Sequence, residues 1–408
     1  MNCRMIAVVV LSLVSFAVAQ TTQPADRVDE LLTAGDLKAA EAQLEKMLKA
    51  DAKDDHARFG LGTVQVLRAV ENLFQTLHSY GFPKPSIGGP LLPAMLFTPN
   101  AEPKTVAAED VRRMLVAWTE QLARAEKTLS EICNTDVKMP LHFGLIRLDL
   151  NGDGKAEERE ALWRVYGAVS GDRIEQSDAA GFLIVFDAAD VEWLRGYCDL
   201  LMAMTEFALA HDGGELFDRT AQLFFPKVKT PYPFLCEGQR VFDFYGIDIV
   251  DAVAFVHLLN LPVAEPARLK ASLEHLQAMT SQSRKMWKLA MAETDDDHEW
   301  IPNPKQHCVI PEVRVTLEMV DQWQAFLDEA DAILAGKKLV PFWRGAGDLG
   351  VNVRRVFLEP KRFDLVLWVQ GSAAAPYLEK GPLTKRETWD RLMRVFEGNF
   401  IGFAFWFN

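Results

Sequence analysis

The stretch Asp149-Leu150-Asn151-Gly152-Asp153-Gly154-Lys155-Ala156-Glu157-Glu158-Arg159-Glu160 restricts the fold more than any other part of this chain. Two glycines and a run of short polar residues keep regular helix or strand out of its first half. Oxygen-bearing side chains stand at positions 1, 3, 5, 9 and 12, and position 6 is Gly154, where a sharp turn needs a glycine. A chain that turns while offering an oxygen at alternate residues converges them on one point. A hard cation takes about six to eight oxygens at roughly 2.3–2.6 Å. Asp149, Asn151 and Asp153 would supply side-chain oxygens, Lys155 its backbone carbonyl, Glu157 an oxygen directly or through water, and Glu160 two. The sequence therefore predicts a bound Ca2+ held by these six residues, the lysine side chain itself taking no part.

The flanks fit a helix on each side. After Glu160, Leu162, Val165, Tyr166 and Val169 fall on one helical face, and before Asp149, Leu141, Leu145 and Leu148 have the spacing of an entering helix. Loop and flanks together resemble the EF-hand, with all five side-chain ligand types in place. That resemblance implies a helix-loop-helix calcium site. EF-hands usually occur in pairs and this chain offers no second intact loop, so a structural clamp is expected rather than a cooperative sensor.

The N-terminus reads as an export signal. Arg4 precedes a largely apolar run over residues 5–16, and Ala17-Val18-Ala19 supplies a small-x-small cleavage site, so residues 1–19 form the expected signal peptide. Residues 20–26 follow as a polar tether. The rest contains no apolar run of about 18 residues, so no membrane span is expected after cleavage. Secreted or periplasmic localisation follows, in surroundings where calcium is abundant. The net charge of −13 argues against nucleic acid as a partner. Removing Cys3 leaves Cys133, Cys198, Cys236 and Cys308, which allow two disulfides in three connectivities; Cys133 and Cys198 lie on apolar helical stretches, where free buried cysteine is also common.

Helical spacing dominates the remainder. Residues 28–61 read as a helical hairpin and a half, broken at Gly35-Asp36 and striped by Ala39, Ala40, Leu44 and Leu48. This stretch, about 34 residues long, resembles a tetratricopeptide unit. Ala40-Glu41, Leu44, Asp51, Lys53 and Phe59-Gly60-Leu61 recur as Ala125-Glu126, Leu129, Asp136, Lys138 and Phe143-Gly144-Leu145, which favours helix over residues 141–148. Residues 81–103 carry nine prolines and glycines between apolar residues and cannot be regular helix. A long helix follows with Val111, Leu115, Trp118, Leu122, Ala125, Leu129 and Ile132 in line. Residues 182–186 read as a strand, with Asp187 or Asp190 capping a core helix over 191–210. Pro226, Pro231 and Pro233 mark the expected boundary between a helical domain, 27–225, and an α-rich domain with a few strands, 235–408. Helices are expected over 247–259, 266–292, 315–335 and 385–397. Val351, Val353 and Val356, then Leu365, Leu367 and Val369, alternate like strands. The aromatic ending, 403–408, reads as a strand or buried tail. The fold class is mainly α: a helical, repeat-like N-terminal half bearing the loop and an α-rich α+β C-terminal half.

Other motifs lack their context. Gly345-Ala346-Gly347-Asp348-Leu349-Gly350 satisfies G-x-G-x-x-G, but strand-like alternation follows where a nucleotide site requires a helix. The run Glu293, Asp295, Asp296, Asp297, His298 and Glu299, with His307 and Cys308 beyond, reads as a solvated loop, since no spacing in it matches a metal cage. No paired nucleophile and base is visible. The expected function is calcium binding within a binding or scaffolding protein whose partner is a protein or other extracytoplasmic ligand. The rival reading is an extracytoplasmic hydrolase with a site drawing on residues 295–299.

Overall fold

Helices begin and end where local chemistry dictates. α1 (Arg27–Thr33) stops before Gly35, whose φ of +85° only glycine adopts freely. α2 (Leu37–Ala50) opens on Asp36, whose carboxylate accepts the Ala39 N–H at 2.9 Å. α3 (Asp55–Ser79) opens in the same way on Asp54, 2.9 Å from the Ala57 nitrogen. A computed structural model describes residues 27–82, 99–170, 175–236, 247–310, 313–344, 347–396, 398 and 400–406. The expected signal peptide and tether, and most of the proline-rich segment 81–103, lie outside the described residues.

α4 (Ala108–Ser130) buries Trp118, Leu122, Ala125 and Leu129, the stripe its sequence predicts. It lies close against α3 because Gly62 has no side chain: a Cβ there would stand 2.4 Å from a Leu129 methyl. α5 (Leu162–Ser170) and α6 (Gln176–Gly181) then lead to α7 (Ala188–Leu209), whose buried residues lie on more than one face. Arg195 of α7 bonds Glu126 of α4 at 2.8 Å.

After the short α8 (Gly214–Thr220) come the prolines at 226, 231 and 233, then α9 (Ile247–Leu258) and α10 (Pro266–Ala290). α10 runs antiparallel to α7. Arg268 bonds Glu206 at 2.8 Å, the Ser272 hydroxyl donates to the Ala203 carbonyl at 2.7 Å, and His275 Nδ1 lies 2.6 Å from Asp199 Oδ1. Packing thus runs across the proline stretch. The largest apolar core draws on α1, α2 and α3 and equally on Trp287, on Trp323 of α11 (Leu317–Leu334) and on Phe403.

Three local readings are corrected. Residues 141–148 are not an entering helix. β1 (Met139–Leu141) gives way to a single 3₁₀ turn over Phe143–Leu145 and then to extended chain. Val137, Met139, Leu141, Ile146, Leu148 and Leu150 are all buried. Apolar burial at every second residue is the strand period, and Pro140, which lacks an N–H, weighs against helix. In the C-terminal half, of Val351, Val353 and Val356 only Val351 lies in a strand, β4 (Leu349–Val351), which is antiparallel to β3 (Val340–Pro341) and β5 (Leu378–Lys380). Val353 and Val356 lie in α12 (Val353–Leu358), because Asn352 caps it by accepting the Arg355 N–H. Leu365, Leu367 and Val369 lie in α13 (Leu365–Gln370), capped by Asp364. After α14 (Arg386–Val395), the aromatic ending forms α15 (Phe400–Trp406), with Phe403 buried against Trp287. The molecule is mainly α with a small β contribution.

β2 (Ile184–Phe186) pairs antiparallel with β1, Met139 opposite Phe186 and Leu141 opposite Ile184. Opposite Pro140, the Val185 N–H donates instead to the His298 carbonyl at 3.2 Å. This bond holds the acidic turn after α10 against the start of α7. The described cysteines are all free.

Candidate metal centre

The loop over 149–160 is wound around its own carboxylates. Asp149 Oδ1 accepts the N–H of Gly152 at 2.8 Å and of Asp153 at 3.2 Å, and its Oδ2 accepts that of Gly154 at 3.0 Å. Asn151 Oδ1 accepts from Asp153 N at 2.8 Å, and Asp153 Oδ1 from Lys155 N at 2.9 Å. Gly152 and Gly154 both have positive φ, +74° and +86°, which winds the chain this tightly. Glu160, 3% exposed, spans the mouth: Oε1 accepts the Leu150 N–H at 3.1 Å and Oε2 the Glu157 N–H at 2.9 Å. Burial raises its pKa above the usual carboxylate value, against the pull of those two N–H groups.

The ends of the loop pair with one another rather than leaving as two helices. Leu148 N donates to the Glu160 carbonyl at 3.3 Å and Leu162 N to the Ile146 carbonyl at 2.9 Å. α5 supplies the exiting helix. α3 supports the loop: buried Glu71 accepts the Asp149 N–H at 2.8 Å, and the Gln75 amide donates to the Asp149 carbonyl at 2.8 Å. The stretch before the loop is stitched to the N-terminal helices as well. Asp29 accepts the His142 N–H at 2.7 Å, and Arg147 donates to the Ala34 carbonyl at 3.1 Å.

The donor set suits calcium. It consists of oxygens only, and ionised carboxylates carry about four acceptor sites each, so the N–H bonds of Asp149 and Glu160 leave acceptor capacity for an ion. Asp149, Asn151, Asp153, the Lys155 carbonyl, Glu157 and Glu160 are the residues that would hold it. Glu157 also pairs with Arg159 at 2.7 Å.

A second acidic group escaped sequence reasoning. Among the described residues, only Asp187, Glu293 and Glu299 form a trio of acidic, His or Cys side chains whose ligand atoms all lie within 4.8 Å of one another. Asp187 caps α7, accepting the N–H of Ala189 at 2.7 Å, and Asp190 completes the reciprocal cap by accepting the Asp187 N–H at 3.0 Å. Glu293 follows the end of α10, where the Gln306 amide donates to its Oε2 at 3.2 Å. Glu299 is 4% exposed and accepts the Asp297 N–H at 2.9 Å. The residue before it, His298, has φ +63°, the one positive value on a non-glycine residue among those described. Only the capping role of Asp187 and Asp190 was legible. The solvated-loop reading fails for Glu299, which the parallel bridge to Cys308 turns inward.

The other members of the run stay outside. Asp295 and Asp297 pair with Lys138, the residue preceding β1, and Asp296 Oδ2 lies 2.6 Å from His307 Nδ1. Asp295, His298 and His307 therefore have different partners and do not gather at one point.

Burial dominates the electrostatics of the trio. It pushes Glu293 up to about 9, helped by the neighbouring Asp187 carboxyl, and Glu299 up to about 7; Asp187 is raised for the same reason. These groups hold protons more tightly folded than unfolded. Below about pH 4.5, the ordinary glutamate value, their contribution to stability is whole, and it is lost as pH rises toward 9. In chelator, the melting temperature should therefore fall between pH 5 and pH 9, and Glu293→Gln should flatten that fall. Thermal melts of both proteins across the range check this; parallel curves would contradict it.

Compared with known proteins, the chain matches no family model, no curated protein and no solved structure.

Proposed function

We propose that this is an exported calcium-binding protein, secreted or periplasmic, in which the ion is a structural clamp within a binding or scaffolding protein. The observation that carries the reading is the winding of residues 149–160 around Asp149 and Glu160, with Asn151, Asp153, Lys155 and Glu157 at the alternate positions a calcium ion needs. Among the described residues no three of the loop's carboxylates lie within 4.8 Å of one another, so calcium would have to draw them together on the turn that α3 already supports through Glu71 and Gln75. Export rests on the sequence of residues 1–19.

A binding role draws support from the surface. α9 leaves Val250, Val253 and Val256 exposed, and α13 beside it leaves Val366, Leu367 and Val369 exposed, an apolar face of the kind that partners cover. No helix of the described residues is long and apolar enough to cross a membrane.

At calcium about ten times its dissociation constant, binding to the folded state alone adds about 1.4 kcal/mol, which for a chain of this size is a rise of about 2 °C in melting temperature. The purified protein should show that rise, and Asp149→Ala should abolish it. Equal melts in calcium and in chelator would remove the clamp.

A further inference from the structure

We propose that Asp187, Glu293 and Glu299, with Asp190 behind them, form a second cation site, separate from the loop and selective for a hard divalent ion such as calcium or manganese. Three carboxylates from distant parts of the chain bring oxygens within 4.8 Å of one another where α7 begins and α10 ends. The antiparallel α7–α10 packing fixes this meeting point, and the Val185–His298 backbone bond brings Glu299 to it.

An independent observation points to a missing partner. Asp190 is 4% exposed; its Oδ2 takes the Asp187 N–H, but its Oδ1 is buried with no donor. The charges bearing on it are those of Asp187, Glu299 and Glu293, so this carboxyl lies against the trio. A buried acceptor without a donor costs about 1–3 kcal/mol, and a cation held by the trio would set a positive charge beside that oxygen to offset it. The compensating charge in the protein is incomplete. Lys138 bears on Asp187 and Glu299, yet its ammonium bonds to Asp295 and Asp297.

The chemistry selects the ion class. The ligands are oxygens, whereas zinc and copper favour imidazole and thiolate. Cys308, the one thiol nearby, donates to the Trp300 carbonyl at 3.5 Å, and burial pushes its pKa up to about 12, so it remains a thiol.

Bound ions can be counted by equilibrium dialysis of the full chain at pH 8 against calcium, and against manganese with paramagnetic resonance detection. The expected result is two ions on the wild type, one on Asp149→Ala, and none on Asp149→Ala combined with Glu293→Gln and Glu299→Gln, which keep side-chain volume. One ion on the wild type that survives Asp149→Ala would sustain the second site while removing the loop site. No ion on Asp149→Ala, or one that survives the glutamine substitutions, would overturn the second site, leaving the trio as carboxyls that share protons. Should the triple variant fail to fold, Glu299→Gln alone on the Asp149→Ala background keeps the test open, with loss of the remaining ion expected. An ion count unchanged by that substitution would overturn the site.

Discussion

Trp287→Ala should destabilise the protein by about 3–5 kcal/mol, the largest effect expected of a single core substitution here. Trp287 is 1% exposed on α10, and its ring lies nearly parallel to that of Phe403, with centroids 6.4 Å apart and a 10° angle between planes. Trp323 completes the contact, edge-on to Phe403 at 5.6 Å, with its indole N–H donating to Ser283 at 3.0 Å. Removing the indole leaves a void bordered by three helices that cannot collapse together. Urea unfolding should show a lower midpoint with an unchanged slope. A midpoint within the error of the wild type would mean that α15 does not rest on α10 as described.

The second large effect is expected at Glu160. Its two oxygens hold the N–H groups of Leu150 and Glu157 at the mouth of the loop, and it is almost wholly buried. Glu160→Ala should cost about 2–3 kcal/mol in chelator, from donors left without acceptors. The variant should also lose the calcium-dependent rise in melting temperature. Glu160→Gln separates the two roles. One amide oxygen keeps one of the N–H bonds, so much of the chelator stability should return while the response to calcium stays absent. A Gln variant that responds to calcium like the wild type would show that the carboxylate is not a ligand.

How far the sequence could be read depended on whether the relevant pattern was local. In residues 149–160 every donor and the turning glycine lie within a dozen positions; the structure turns the chain there at Gly152 and Gly154, without bringing three of the loop's carboxylates within 4.8 Å of one another. The stripe of α4 and the approximate extents of α7, α10 and α11 were legible for the same reason, since helical patterns repeat within a few residues. Residues 141–148 carried two conflicting signals, a resemblance to an earlier helix and a strict alternation of apolar residues. Alternation prevailed because Pro140 has no N–H to give a helix. In α12 and α13 the short apolar alternation misled, and Asn352 and Asp364 acting as caps decided the outcome.

The acidic trio was beyond sequence reasoning. Asp187 looked like a helix cap, which it is, and Glu293 and Glu299 looked like ends of a hydrated run. Their meeting depends on the register of α7 against α10 and on one backbone bond to β2, neither of which leaves a trace in residue spacing. A faint hint was available, since a capping pair and a charge run both ended in carboxylates beside apolar segments.

The backing of the loop by α3 has a kinetic consequence. Glu71 and Gln75 precede Asp149 by 78 and 74 residues, so the cradle is finished only after a long stretch of chain has come back upon itself. Closing such a span is an entropic toll levied before any coordinating geometry exists. An ion captured afterwards would act on the escape from the native state and leave the speed of reaching it untouched. With calcium bound as proposed, the 149–160 segment would serve as a latch on a structure already assembled, rather than as the seed from which assembly starts.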